Sequence, residues 1–399
     1  MIRRHLEKKL RLAAKQYPVV SVTGPRQSGK TTLVKAVFDK YAYISLEDPD
    51  SWAFAMEDPR GFLAQFHRSA VLDEVQRAPE LFSYVQGIVD RTDRAGHYIL
   101  TGSGNFLLME KIAQSLAGRC AVLHLLPFSK SELGGRKMMD LSRLGRVPRA
   151  KEPVSIGNLF DVMFNGFYPR IHDKKLSAPD WLANYYQTYL ERDVRQILNV
   201  GDTEAFARFV RLCAGRCGQL LNMSALAADC GISVPTAKRW LSILEASFLI
   251  VLLRPHFKNF NKRLVKSPKL YFLDTGLLCY LLRIRSSDEL RIHSARGAVF
   301  ESWALSELFK NYYNRGNEPD VYFWRDSTGH EVDFLVEQGQ ELIPIEIKSG
   351  ETVVSDSTKG LDFWRSLPGQ DKCRAVLVYG GDSSYMRRNI AVTSWQDWG

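Results

Sequence analysis

The stretch Gly24-Pro25-Arg26-Gln27-Ser28-Gly29-Lys30-Thr31 constrains this chain more than any other. It satisfies GxxxxGK[ST] at every fixed position. Val19, Val20 and Val22 before it read as a buried strand, and the residues from Thr32 onward read as a helix. In a strand–glycine loop–helix unit the backbone N–H groups turn inward at a helix N-terminus, whose dipole also favours negative charge. Such a cradle takes phosphate. Lys30 is expected to reach the β- and γ-phosphates, and the Thr31 hydroxyl to hold Mg²⁺. A chance Gly/Lys loop would have no reason to sit between a strand and a helix. Residues Gly24 to Thr32 are therefore expected to bind ATP with Mg²⁺.

Further on, "FHRSAVLDEVQRAPEL" holds a short apolar run, Ala70-Val71-Leu72, that ends in Asp73-Glu74. The C-terminal ends of strands are where α/β sheets place their chemistry. Asp73 is expected to ligate Mg²⁺, directly or through water, and Glu74 to act as general base on the attacking water. Two carboxylates, rather than Asp alone, point to hydrolysis. "GHYILTGSGNF" is a further strand; Ser103 or Asn105 could orient the water or touch the γ-phosphate, and a plain strand-to-turn exit is the alternative. Arg119, just before the strand in "CAVLHLL", is either an arginine finger reaching a neighbour's phosphate in a homo-oligomer or a surface arginine.

With 399 residues the chain is too long for one ordinary core, so about two to four domains are expected. It is 45% hydrophobic and 25% charged, the balance of a soluble globular protein. No apolar run approaches the roughly 18–20 residues that span a bilayer, and the charged N-terminus has no signal-peptide core. The six Cys lack paired metal or disulfide spacing; Cys213 and Cys217 share a helix face as core residues. A cytoplasmic protein without membrane contact is expected. The formal charge of +10 favours polyanionic partners, nucleic acid before membrane.

The basic, turn-rich stretch 131–160 reads as an exposed insertion or linker, and the aromatics of "DWLANYYQTYLERDVRQIL" as packing. From 204 to 255 the pattern is helix, then helix, a turn at Gly231, a second helix and a strand, with Ser224 and Ser233 at the N-cap positions. Thr236, Lys238 and Arg239 fall in the first turns of the second helix, where major-groove readers place their contacts. Lys258, Lys262, Arg263, Lys266 and Lys269 follow with no acid among them, as phosphate contact requires. The alternative is a helical module for protein contacts beside a solvated basic loop.

In "ELIPIEIKSG", Ile343, Ile345 and Ile347 alternate with Glu346 and Lys348. In "EVDFLVEQ", Val332, Phe334 and Val336 are expected on one face with Asp333 opposite, and the turn at Gly339 makes a hairpin of the two runs. Glu301, on the amphipathic helix "GAVFESWALSELF", could lean over the same place. Glu301, Asp333 and Glu346 are candidate Mg²⁺ ligands and Lys348 a candidate nucleophile-positioning group, a set suited to phosphodiester cleavage. Ordinary salt-bridge patterning on a strand face is the alternative. Trp303, Trp324 and Trp364 are expected in the core, with Asp274 as a helix cap.

The set GPRQSGKTT, VLDEVQ, LTGSGN and SLAGR resembles the AAA+ branch of P-loop ATPases. It is most similar to a prokaryotic AAA-like family in which the ATPase precedes a C-terminal domain of unknown function resembling restriction-type nucleases. Glu301, Asp333, Glu346 and Lys348 resemble the PD-(D/E)xK nuclease core, without the doublet before the Asp. The resemblance implies an α/β protein: a parallel-sheet AAA+ core (1–130), a helical lid and linker (131–200), a winged helix-turn-helix (201–268) and a nuclease-like domain (269–399). Arg170, Arg192 and Arg195 all qualify loosely as its lid arginine. Three functions are compatible. The first couples ATP hydrolysis to DNA binding or cleavage. The second is a nucleotide-controlled switch whose inert nuclease fold holds DNA or a protein, and the third is a protein-remodelling ATPase.

Overall fold

The computed structural model describes residues 2–92, 94–103, 114–147, 157–188, 203–256 and 266–399. At the amino end a five-stranded parallel sheet has the order β2-β3-β4-β1-β5. Its strands are β1 (Val19–Gly24), β2 (Ala42–Ser45), β3 (Ala70–Asp73), β4 (Tyr98–Ser103) and β5 (Cys120–His124). Strand β1 is flanked on both sides, with Val19 opposite Tyr98 and Cys120. A strand covered on both faces needs apolar side chains on both. Val20 and Val22 accordingly pack with the helices Glu7–Gln16 and Lys30–Val37, while Val19 packs with Leu72, Leu100 and the helix Leu81–Thr92. This order brings the C-terminal ends of β3, β4 and β1 side by side.

Three short helices follow, Leu159–Asn165, Pro169–Lys174 and Ala178–Tyr185. The expected aromatics pack inward: Tyr185 and Tyr186 are buried, and the rings of Tyr168, Trp181 and Tyr185 touch. In the stretch 131–160 the described residues 131–147 are not simply an exposed linker. Leu141 and Leu144 are buried, and Arg374 from the far end of the chain donates to the carbonyls of Ser142 (2.9 Å) and Leu144 (2.8 Å). Apolar leucines and a distant guanidinium together anchor what turn-rich composition alone reads as loose.

The helices Thr203–Gly215, Met223–Cys230 and Val234–Ala246 lead into β6 (Ile250–Leu253), which pairs antiparallel with β7 (Lys269–Phe272). Gly231 closes the second helix with φ 69°, a left-handed geometry that glycine adopts without a Cβ clash. Ser233 caps the third helix through the Thr236 N–H as expected, but the second starts on Asn222, which accepts from Ala225 N, and not on Ser224. Cys213 and Cys217 are buried in the core. The expected division between 268 and 269 runs through a strand pairing, since Lys269 lies opposite Leu253.

The C-terminal region runs from the long helix Arg296–Asn314 through β8 (Val321–Arg325), β9 (Glu331–Gln338) and β10 (Glu341–Lys348) to the helix Lys359–Arg365, then β11 (Ala375–Tyr379), β12 (Tyr385–Arg387) and β13 (Ile390–Ser394). These strands form one mixed sheet, ordered β12-β13-β11-β10-β9-β8. The pairs β8–β9, β9–β10 and β12–β13 are antiparallel, whereas β10–β11 and β11–β13 are parallel. Ile343, Ile345 and Ile347 face the long helix, and Trp303, Trp324 and Trp364 are fully buried. Asp274 caps the helix Thr275–Leu281 by accepting from Leu277 N.

One expected alternation fails. Val332 lies opposite Trp324, but Leu335 lies opposite Tyr322, so β9 carries an extra residue at Asp333-Phe334. A bulge of this kind breaks the period of two. Val332 therefore packs with Trp324, Leu335 and Trp364, and not with Phe334 and Val336.

Candidate functional site

The glycine loop encloses a cavity of about 760 Å³. Arg26, Gln27, Gly29, Lys30, Thr31 and Thr32 line it, and so do Glu47 and Glu74, which follow the ends of β2 and β3. Glycine is required at both ends of the loop. Gly24 has φ 155° and a Cβ there would stand 2.1 Å from the Leu125 carbonyl oxygen; Gly29 has φ 91°. Lys30 is buried and its Nζ donates to the carbonyls of Gly24 (3.1 Å) and Pro25 (2.8 Å). Burial pulls its pKa below the usual lysine value, against the opposing pull of Glu74 and Asp73.

Asp73 is almost completely buried and accepts hydroxyl groups on both oxygens: Thr31 (2.8 Å) and Tyr43 (2.6 Å) on Oδ2, and Thr101 on Oδ1. Sequence reasoning found Thr31 and missed Tyr43 and Thr101. Thr101 stands two residues before Ser103 at the end of β4, and only the sheet order reveals that it faces Asp73. Glu74 holds a left-handed backbone, φ 55°, unusual for a residue with a Cβ and a form of strain often found at functional sites. The Gln76 side-chain amide bonds Glu74 Oε2 and also donates to Ser103 Oγ (3.1 Å). Ser103 thus meets the cavity through Gln76. Asn105 lies outside the described residues.

ATP and Mg²⁺ fit these residues. Among the described residues the buried Ser28 hydroxyl has no hydrogen-bond partner and Lys30 donates to the loop's own carbonyls, while Thr31 with Asp73 offers the oxygen donors a hard cation needs. The cavity wall also includes two features absent from the motif. Arg4 is buried and donates to the Ser28 carbonyl (2.7 Å) and to Glu132 (3.1 Å), tying the loop to the segment after β5. Arg170, one of the three lid candidates, lines the cavity from the helix Pro169–Lys174, while Arg192 and Arg195 lie outside the described residues. Arg119 does not line the cavity. Its guanidinium grips Asp90 of its own chain, with Nη2 to Oδ2 at 3.0 Å.

The C-terminal candidates come together around two lysines. Among the described residues no group of three or more His, Cys, Asp or Glu is arranged to hold a metal ion. Lysines stand between the acids instead. Lys348 Nζ lies 2.6 Å from Glu346 and 3.9 Å from Asp333, and Asp333 Oδ2 accepts the Ile347 N–H at 2.8 Å. Glu301 accepts from the Tyr271 hydroxyl (2.8 Å) and lies 3.7 Å from Lys269 Nζ, which also pairs with Glu331. Lys269, expected in the basic segment for phosphate contact, is 3% exposed. Burial and the Asp333 charge push Glu301 up to about 7 and Glu346 up to about 8.

On the helix Val234–Ala246, Lys238 and Arg239 are exposed while Ala237, Trp240, Leu241 and Leu244 are buried. The Thr236 hydroxyl is engaged with Ser233 (2.8 Å). Lys266 is exposed; Lys258, Lys262 and Arg263 lie outside the described residues. No described helix is long and apolar enough to cross a membrane.

Residues 16–134 match the family model described as an AAA domain. Residues 156–288 and 296–398 match two models described as domains of unknown function, DUF8612 and DUF4143. An uncharacterised protein of Mycobacterium tuberculosis is 29% identical over 386 residues, covering 96% of this chain and 81% of that protein. An uncharacterised protein of Methanocaldococcus jannaschii is 22% identical, covering 83% of this chain and 75% of its own. Among solved structures, the Walker-type ATPase of Pyrococcus abyssi is similar at 16% identity and a TM-score of 0.43, covering 71% of this chain and 96% of its own. The chain thus carries an AAA-type P-loop domain at its amino end and a DUF4143 domain at its carboxyl end.

Proposed function

We propose that this chain is an ATP-hydrolysing switch, in which the state of the amino-terminal pocket controls a nucleic-acid-binding module in the rest of the molecule. The observation that carries this reading is the bond from Thr31 to buried Asp73 beside the buried ammonium of Lys30, at the mouth of a cavity of about 760 Å³. Lys30 exchanges the Gly24 and Pro25 carbonyls for phosphate oxygens, a stronger, charge-assisted partner. Thr31 and Asp73 would hold Mg²⁺, which would supply neutralising charge on the phosphates. Glu74 takes the proton of the attacking water, and Gln76 fixes its carboxylate against Ser103.

DNA is the favoured partner. A helix-turn-helix followed by the β6–β7 pair has the composition of a winged helix, and Lys238 and Arg239 are free of the core at the start of its second helix. The helix–three strands–helix–strand order of the carboxyl-terminal region supports a nuclease-like fold. The lysines among its acids favour the version of the switch in which that fold holds its partner without cutting it. A fold does not carry its chemistry with it.

The test is phosphate release from ATP with magnesium, with and without duplex DNA, followed by a gel of that DNA. Glu74→Gln should keep ATP bound and slow turnover by about 10²–10⁴. Unchanged turnover would remove Glu74 as the base, and absence of ATP binding would end the reading altogether.

A further inference from the structure

The C-terminal carboxylates lie in a nuclease-like setting, yet they are not arranged as ligands of one ion. Their surroundings explain why. Strand β7 is held on both edges: Lys269 lies opposite Leu253 in the pairing with β6 and bridges Leu220 on the other side. The Gly218 N–H donates to the Leu270 carbonyl at 2.8 Å, and Leu221 N–H to that of Pro268 at 2.8 Å. The Lys269 side chain cannot swing out to water without displacing this strand. It ends instead on Glu331, 3.7 Å from Glu301, and over the ring of Phe323. Arg325 reaches the other oxygen of Glu331 at 3.0 Å. Lys348 occupies the remaining side, on Glu346 and Asp333.

We propose that the buried ammonium of Lys269 is the resident cation of this pocket, so that the chain neutralises its own carboxylates and takes no divalent ion there while β7 is in place. A divalent cation needs several carboxylate or carbonyl oxygens converging at about 2.0–2.6 Å. Here Glu301 Oε1 accepts a tyrosine hydroxyl and faces an ammonium, Glu331 is held by two cations, and Asp333 Oδ2 is occupied by a backbone N–H. A second cation on Glu301 Oε1 would stand beside the buried charge of Lys269, which already lies 3.7 Å from the same oxygen. This inference is independent of the ATPase reading and departs from the metal-nuclease reading of the same residues.

The experiment is Mn²⁺ binding to the full chain without nucleotide, read by the EPR signal of free Mn²⁺ and by the melting temperature. The wild type should show no Mn²⁺ site that Asp333→Asn removes. Lys269→Gln should gain one site, at least about tenfold tighter than any in the wild type, and Mn²⁺ should raise its melting temperature by mass action. The double variant Lys269→Gln/Asp333→Asn should lose that site. If Lys269→Gln is too unstable to purify, the wild type against Asp333→Asn still decides. A wild-type Mn²⁺ site that depends on Asp333 overturns the proposal, as does a folded Lys269→Gln that gains none.

Discussion

Two buried lysines, Lys30 and Lys269, end with pKa shifts of opposite sign. Lys30 opens a helix after the glycine loop and Lys269 opens β7; both have acids nearby, and they are 5% and 3% exposed. Among the described residues Lys30 donates to backbone carbonyls alone, and burial drags its pKa down despite Glu74 and Asp73 nearby. For Lys269 burial pulls the same way, but Glu301, Asp333 and Glu331 together outweigh it and its pKa rises. An ammonium in a desolvated loop without a carboxylate contact is ready for an anionic ligand; one already resting on carboxylates has its counter-charge. The first pocket is built to receive, the second to hold itself together.

The sharpest way to break this comparison is to remove each lysine. Lys269→Ala should cost about 3–5 kcal/mol of stability by leaving buried acid uncompensated, measured by denaturant unfolding. A loss under about 1 kcal/mol would show that Lys269 is not the counter-ion. Lys30→Met should behave in reverse, with stability nearly unchanged and turnover of ATP lower by about 10²–10³, the scale of one lost charge-stabilising donor.

A smaller effect concerns pH. The Glu346 carboxyl is raised from 4.5 to about 8, by burial first and then by Asp333. Between those values the native state binds the proton more tightly than the unfolded chain does. Stability therefore falls as pH rises through this window, by at most about 1.4 kcal/mol per pH unit. Glu346→Gln should flatten that slope in unfolding curves taken from pH 5 to 8; an unchanged slope would assign it to other groups. Least of all, Lys348→Ala should cost under about 1 kcal/mol, because its side chain is 38% exposed and its ion pairs are screened by water.

Much of the amino-terminal pocket was legible in the residues because its parts are local. A strand, two glycines and a Lys-Thr pair lie within one short stretch, and their spacing is the geometry. Asp73 and Glu74 needed only a second strand end. Tyr43, Thr101 and Gln76 were not legible, since a hydroxyl or an amide carries no sign of which carboxylate it meets. The C-terminal group was legible as a set of types and not as a site. Alternation placed Ile343, Ile345 and Ile347 correctly on β10, but no periodicity discloses the extra residue in β9.

By itself, then, the order of residues determined the phosphate loop, the helix-turn-helix boundary at Gly231 and the apolar face of β10, because each depends on backbone geometry and side-chain period over a few neighbours. Tertiary structure alone decided which charges meet. Lys269 belongs by sequence to a basic hairpin, yet the pairing of β6 with β7 carries it into the acids of a distant helix and sheet. Charge complementarity across some thirty to sixty positions is a property of the packed chain, for the Coulomb energy depends on distance in space and not along the backbone.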